Sequence, residues 1–322
     1  MVAESPPSPP PATLRWLYAG QGSMGAAALE VLLDGLDTEL WPLAVFSGEP
    51  PWGVRPVGSV AEARGLDLHH VETIGADPRA HWPEVFSSLD VAVVGCWTER
   101  IPRTALDVPV HGWLNLHPSA LPAWRGLDPV AWQLLTCPGD IGCTVHHITE
   151  GQDDGAVVAQ GTVPVHDGDD REVLLVRSGA RLGQLAAGYL RALAAGSAGP
   201  AVPQDPAAAT WCPPGGVVPM LDPSVLRARV AARVARAFSP HPGVAIATMP
   251  GDQRFAVTAV GEGLSADDQP GAIVTVDADP EANVAVACRD RWLLGRTWAV
   301  GAERPTVTSL GLSDPGDPTE ST

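Results

Sequence analysis

The sequence predicts an α/β chain in two parts, a mostly parallel sheet covered by helices and then a smaller domain of antiparallel β-barrel type. Three observations carry the prediction. Short apolar runs alternate with helical patterns through the first half of the chain, the signature of β-α-β units. Five strand patterns separated by Gly, Pro and Asp turns follow Pro242, the spacing of a small open Greek-key barrel. Between the two lies a stretch rich in Ala, Gly, Ser and Pro, residues 195–206, with the composition of a connection.

The elements follow in order. Leu14–Ala19 reads as a buried first strand; Gly20-Gln21-Gly22-Ser23-Met24-Gly25 turns it into a helix over Ala26–Leu33. Leu40–Phe46 reads as the second strand, Val60–Arg64 as helix, Asp67–Val71 as extended, Val91–Gly95 as the third apolar strand and Trp113–Leu116 as the fourth. Ile141–Ile148 and Ala156–Val165 add two strands, and Val173–Leu193 an amphipathic helix. Asp222-Pro223 predicts a helix start, with Asp as N-cap and Pro in the first turn. Leu226, Val230, Val234 and Phe238 then recur at i+4 spacing with arginines between them. The five later strands are Val244–Met249, Arg254–Gly261, Gly271–Val276, Asn283–Cys288 and Trp292–Val300. The expected organisation is a leader without structure (1–13), an α/β domain (14–196), a linker (197–221), the β domain (222–306) and a tail without structure (307–322).

Composition narrows the function classes. The chain of 322 residues has a net charge of −17, and all 20 of its basic residues are Arg. Such a surface repels phosphate backbones over its whole extent. That counts against a nucleic-acid partner such as tRNA, although a local Arg patch would suffice to hold one. The five cysteines are scattered, with no C-x-x-C pair, so neither a disulfide framework nor a structural zinc site is expected, and a reducing cytoplasm fits. The apolar runs are too short to span a bilayer, and Met1–Thr13 lacks the layout of a secretory signal. A cytoplasmic protein without a membrane partner is the expectation.

Two stretches carry chemistry. The first is Asn115-Leu116-His117-Pro118-Ser119-Ala120-Leu121-Pro122-Ala123-Trp124-Arg125-Gly126. It leaves a buried strand where open α/β sheets place their ligands. Side chains alternate along a strand, so Asn115 and His117 are delivered to one face. The second is Gly142 to Gly155, in which a strand ends in the acidic turn Glu150-Gly151-Gln152-Asp153-Asp154-Gly155. Such a turn brings a carboxylate to an imidazole. His146 and His147 invite a metal reading, but no further ligand stands at metal spacing, and none is expected; one of the two is expected to pack behind the active-site loop. Ser119 lacks the G-x-S-x-G elbow of a nucleophile, and Cys96 and Cys143 read as core.

The pattern N-x-H-x-S-x-L-P-x-x-R-G, followed by G-x-T-x-x-x-x-x-x-G-x-D-x-G, resembles the signature of the formyltetrahydrofolate-dependent formyltransferases. The resemblance covers roughly residues 14–300. It implies a Rossmann-like formyltransferase fold with a C-terminal OB-like barrel laid out as in methionyl-tRNA formyltransferase. It also implies Asn115, His117 and Asp153 as catalytic residues, with Asp153 chosen over Asp154 by the spacing Gly151-x-Asp153-x-Gly155. The implied co-substrate is 10-formyltetrahydrofolate, cradled by Cys96, Trp97, Thr98, Glu99, Arg100 and Ile101 together with Glu150 and Gly151. Gly20, Gln21, Ser119 and Arg125 are the implied acceptor contacts. The expected reaction is attack of an amine on the formyl carbon, with Asn115 and His117 stabilising the developing oxyanion and His117 with Asp153 relaying the proton.

Two acceptors compete. The first is a small-molecule primary amine, such as an amino sugar, an amino acid or a natural-product intermediate. The second is methionyl-tRNA. The segment Ser47–Val60, where tRNA-dependent relatives carry a basic loop, holds only Arg55 against Glu49, whereas the barrel speaks for tRNA. A hydrolase releasing formate with the same triad is a third reading. The Gly20–Gly25 run also matches the dinucleotide fingerprint G-x-G-x-x-G, so an NAD-dependent oxidoreductase is a fourth.

Overall fold

The first apolar run becomes the middle of a seven-stranded sheet in a computed structural model that describes residues 14–48, 57–71, 74–75, 77–97, 99–136, 139–213, 218–239, 243–249, 253–276 and 283–299. β1 (Trp16–Gly20) is buried at every position and turns through Gln21 into α1 (Gly22–Asp34). Then come β2 (Ala44–Ser47), α2 (Val57–Ala63), β3 (Leu68–His70), α3 (Pro78–His81), α4 (Pro83–Phe86), β4 (Val91–Gly95), α5 (Arg103–Leu106), β5 (Trp113–His117), α6 (Pro129–Thr136), β6 (Ile141–His147), β7 (Val157–Val163) and α7 (Arg171–Ala194). The sheet order is β3-β2-β1-β4-β5-β6-β7. β1 to β5 are parallel to their neighbours, and β6 runs antiparallel to β5. The mostly parallel α/β sheet is thus present.

This order reverses direction between β1 and β4, whose ends Gly20 and Gly95 lie in register. A crevice beyond the strand ends opens at such a point. The glycine run has packing reasons of its own. Gly22 takes φ +61°, and a Cβ on Gly25 would stand 2.6 Å from the Gly95 carbonyl oxygen. α1 can therefore lie directly on β4. Two glycines of α7, Gly179 and Gly183, let that helix meet the backbone of α1 in the same way. β2 begins later than expected. Leu40 closes a 3₁₀ turn (Thr38–Leu40), and Pro42 has no N–H to give a ladder. The Leu40 carbonyl instead accepts from the Trp16 indole at 2.7 Å.

The remaining elements are β8 (Met220–Leu221), α8 (Ala228–Ala237), β9 (Ala245–Ile246), β10 (Gln253–Gly263), β11 (Ile273–Thr275), β12 (Val284–Ala287) and β13 (Arg291–Ala299). β10-β13-β12-β11 form an antiparallel sheet, which fits a small barrel. Four strands build it rather than five. The segment Val244–Met249 pairs through β9 in parallel with β8 and meets β10 at a single bridge, Val244 to Phe255.

The helix expected from Asp222 starts six residues later. The Asp222 carboxylate accepts from the backbone and hydroxyl of Ser224, closing a turn, while α8 is capped from a distance by Asp290, which accepts from the Ala228 N–H at 2.8 Å. The buried face is an alanine stripe (Ala228, Ala231, Ala232, Ala235); of the i+4 line, Phe238 is buried, Leu226 and Val234 pack against the same cluster, and Val230 is half exposed.

Contacts divide the chain into two units, one formed by the described residues of Met1–Pro122, Cys143–Gly161 and Ser178–Ala208, the other by those of Ala123–Gly142, Thr162–Arg177 and Ala209–Thr322. The expected linker is tied down in both. In the first, Val202 bridges Val157. In the second, Thr210 and Cys212 bracket the Arg125 backbone with hydrogen bonds of 2.9 and 2.8 Å. Among the described residues no helix is long and apolar enough to cross a membrane.

Candidate active site

β5 delivers Asn115 and His117 to one face. His117 is 5% exposed, and its Nδ1 stands 3.8 Å from Asp153 Oδ1. The Asn115 amide nitrogen donates to that same carboxylate oxygen at 3.3 Å. The three residues singled out by the motif therefore meet at one oxygen atom.

The turn that presents Asp153 is built to separate two adjacent acids. Asp154 folds back to accept from the Thr149 hydroxyl, which also meets the Gly151 N–H at 3.1 Å. Asp153 takes φ +52°, a left-handed conformation that Asp tolerates better than most residues, and so turns its carboxylate toward the imidazole. Gln204 holds this turn from outside. Its amide donates to the Asp153 carbonyl at 2.9 Å and to that of Gly155 at 2.7 Å.

A second set of bonds fixes the loop after β5. Thr144 on β6 donates to the Ser119 carbonyl at 2.6 Å and accepts from the Leu121 N–H at 3.1 Å. Gln160 on β7 donates to the Leu121 carbonyl at 2.7 Å and to the Thr144 hydroxyl at 3.0 Å. Ser119 is fully buried; its backbone carbonyl accepts from Thr144 and its N–H donates to the His117 carbonyl at 2.9 Å.

His146 joins the cluster although the motif does not mark it. The antiparallel register sets it opposite Asn115, and its Nε2 lies 3.2 Å from the Asn115 amide nitrogen and 3.7 Å from Asp153 Oδ1. Its ring meets that of His117 edge to face at 6.1 Å. Burial, and then the charge of His117, push its pKa down to about 4. Gln204 was missed because its place comes from a long-range contact; His146 was expected only as one of two histidines behind the active-site loop, and its contact with Asn115 comes from strand register. The only local signal was that His146 shares a strand face with Thr144.

Beside the turn lies an open pocket of about 490 Å³ lined by Arg103, Leu106, Asp107, Ile148, Thr149, Glu150, Gly151 and Asp154. Glu150 and Gly151 are thus at its wall. Leu106 and Ile148 belong to an apolar cluster that also takes in Trp97 and Ile101. Arg103 bridges Glu150 at 2.6 Å and Asp107 at 2.8 Å across the rim. Of the predicted cradle, Cys96 takes φ +58° at the β4 end, Trp97 is half-buried, Ile101 is buried, Glu99 and Arg100 are exposed, and Thr98 lies outside the described residues. Gly20 and Gln21 are buried at the switch point, with the Gln21 N–H donating to the Gly95 carbonyl at 3.1 Å. Arg125, in the second unit, is buried with its guanidinium 5.7 Å from the centre of the exposed Trp211 ring. Most of Ser47–Val60, the segment argued to bear on tRNA, lies outside the described residues.

The family described as formyl transferase matches residues 85–187, which span β5, β6 and the Asp153 turn. The chain is 31% identical over 287 residues to the methionyl-tRNA formyltransferase of Aromatoleum aromaticum, the match covering 86% of each chain. It is 29% identical over 320 residues to the methionyl-tRNA formyltransferase of Anaeromyxobacter, covering 94% of this chain and 96% of the relative. The solved structure of WlaRD, a sugar 3N-formyl transferase, superposes with a TM-score of 0.57 at 12% identity over 88% of this chain and 97% of that one. HypX from Aquifex aeolicus superposes with a TM-score of 0.59 at 15% identity, over 88% of this chain and 44% of that one. Both structures share its fold.

Proposed function

The chain belongs to the formyltransferase family, and from that premise we propose that it moves a formyl group from 10-formyltetrahydrofolate to the primary amine of a small-molecule acceptor. The observation that carries the reading is the convergence of Asn115, His117 and Asp153 on one carboxylate oxygen. It supplies a neutral donor, an imidazole and a base within reach of one reacting carbon, the set that acyl transfer to an amine needs.

The residues present fit a reduced folate. The pocket has a ligand-sized volume, with Leu106 and Ile148 beside a polar rim of Thr149, Glu150, Asp107 and Asp154, whose oxygens can accept from the N–H groups of a flat heterocycle. The Trp97 indole N–H is buried with no acceptor among the described residues, a donor that a heteroatom of such a ring would satisfy. When bound, the co-substrate supplies a formyl carbon on nitrogen. An N–H of Asn115 meets the oxygen of that carbon as it takes on negative charge. Removing one such donor typically costs about 10²–10³ in rate. His117 as imidazolium adds charge at the same oxygen, Asp153 holds the ring, and His117 with Asp153 relays the proton that the attacking amine sheds to the folate nitrogen, whose bond to the formyl carbon breaks as the new amide forms.

The small-molecule acceptor is supported by the net charge of −17 and by the single Arg of Ser47–Val60. Methionyl-tRNA is the second reading, supported by relatives of that name aligned over 86% or more of this chain. Purified protein with 10-formyltetrahydrofolate, assayed in parallel on charged initiator tRNA and on a panel of amino sugars and amino acids, separates them. Formyl transfer to tRNA at a rate above every amine overturns the first reading. Release of formate alone, without transfer, overturns both.

A further inference from the structure

We propose that His146 is a positioning residue for this reaction: a neutral imidazole whose bare Nε2, together with Asp153, engages one N–H of Asn115 and so aims the other at the oxygen of the transferring carbon. The inference rests on the reading above for its chemistry, but its geometry stands independently of the acceptor.

The argument begins at the far side of the ring. His146 Nδ1 lies 2.8 Å from the His147 carbonyl oxygen. A carbonyl only accepts, so Nδ1 carries the proton. In a neutral ring Nε2 is then a lone pair, and it faces the Asn115 amide nitrogen at 3.2 Å. Asp153 Oδ1, also an acceptor, stands 3.3 Å from the same nitrogen and 3.7 Å from His146 Nε2.

Those three separations set the two acceptors roughly 70° apart as seen from the nitrogen, well inside the roughly 120° spread of an amide's two N–H bonds. One N–H pointing between them serves both, and the second is directed away from the pair. The reversed carboxamide would put Asn115 Oδ1 against a carboxylate oxygen and a lone pair at hydrogen-bond distance, an arrangement with no proton in it. Asn115 is therefore held in one orientation, and His146 is one of the two groups that hold it. The ring is only 2% exposed, so water cannot easily take over its part, and burial disfavours the charged form that would turn a proton toward Asn115.

The direct test is the tautomer. Long-range ¹H–¹⁵N correlation on ¹⁵N-histidine-labelled wild-type protein at pH 7 should identify His146 as Nδ1–H with Nε2 bare. An Nε2–H tautomer or an imidazolium overturns the proposal, whatever the enzyme turns over. The kinetic test uses two variants. His146→Phe keeps the ring's bulk without the lone pair and should lower kcat by roughly 10–100-fold, less than the about 10²–10³-fold of removing an oxyanion donor outright, with KM for 10-formyltetrahydrofolate within about twofold of wild type. His146→Gln offers a carboxamide oxygen in its place and should recover most of that loss. A Phe variant with wild-type kcat, equal changes in kcat and KM, or a Gln variant no better than Phe would overturn the assignment. Failure of the wild type to formylate any acceptor would overturn the functional reading and leave the tautomer result standing.

Discussion

The edge of the large sheet around β5 to β7 and the antiparallel sheet of β10 to β13 are held together by different forces. Around Asn115 the fixing is polar and directional. Thr144, Gln160, Gln204, Asp154 and His146 each make named hydrogen bonds that place a loop or a turn. In the antiparallel sheet the fixing is apolar. Phe255, Val257, Val286 and Leu293 close one cluster with the alanine face of α8 and with Phe238, whose ring meets Trp132 edge to face at 5.7 Å. Directional bonds specify position to a fraction of an ångström but add little net stability each, whereas buried area stabilises without choosing one geometry. The first region is therefore fixed for position and the second for cohesion, and on the proposed function the first is where chemistry takes place. A substitution in one should move activity, and in the other stability.

The largest effect expected is at His117. His117→Ala should reduce kcat by on the order of 10³-fold, within the range for a general acid–base group, with little change in thermal midpoint. Steady-state kinetics beside a melting curve read both, and retained formyl transfer would remove the triad from the mechanism.

The opposite behaviour is expected at Phe255, whose ring lies against Gly295 of β13. Phe255→Leu should cost roughly 1–2 kcal/mol in denaturant unfolding through the space it leaves, while kcat per folded molecule stays near wild type. A kcat that falls with stability at this position would break the division between the two regions.

The same contrast explains what could be read in advance. The β4 bounds, the parallel sheet and the choice of Asp153 over Asp154 were legible because each is written in contiguous residues, as an apolar run, an alternation or a fixed spacing. The start of α8 was not, because its cap comes from Asp290, 62 positions away. Nor was its buried face, because alanines carry little hydropathy and reveal themselves only by packing. The contact of His146 with Asn115, and Gln204 altogether, escaped for the same reason as that cap. A strand register and a long-range hydrogen bond put them at the site, and neither has a local sequence signature. The placements carried by local spacing were thus the readable ones, and those made by long-range contacts were not.

Gln204 sharpens the comparison at a smaller magnitude. Its amide donates to two backbone carbonyls of the Asp153 turn, so Gln204→Ala removes those hydrogen bonds and leaves the triad's atoms in place. Each bond contributes about 1 kcal/mol. Were about 1.4 kcal/mol of that lost in the transition state, kcat would fall roughly tenfold, with KM for the amine little changed. A shift in thermal midpoint with unaltered kcat would instead make Gln204 a structural tie.

The smallest effect concerns acid stability, and it joins the two kinds of fixing in one residue. An unfolded chain protonates His146 near its ordinary value of 6.5, whereas the folded protein, mainly through burial and then through the charge of His117, delays this to about 4. Between those values the unfolded chain binds the more protons, so stability contributed by this site falls as pH drops from 6.5 toward 4 and is unaffected above 6.5. One unit of separation is about 1.4 kcal/mol, so the loss at pH 5.5 should be about 1 kcal/mol. His146→Phe has no proton to take up. Its stability gap from wild type, measured by urea unfolding at pH 7 and pH 5.5, should therefore narrow by about that amount on acidification. A gap of constant size would mean that the ring is as free to charge in the folded protein as in the unfolded chain, and that the polar cluster around Asn115 does not depend on keeping one of its two imidazoles neutral.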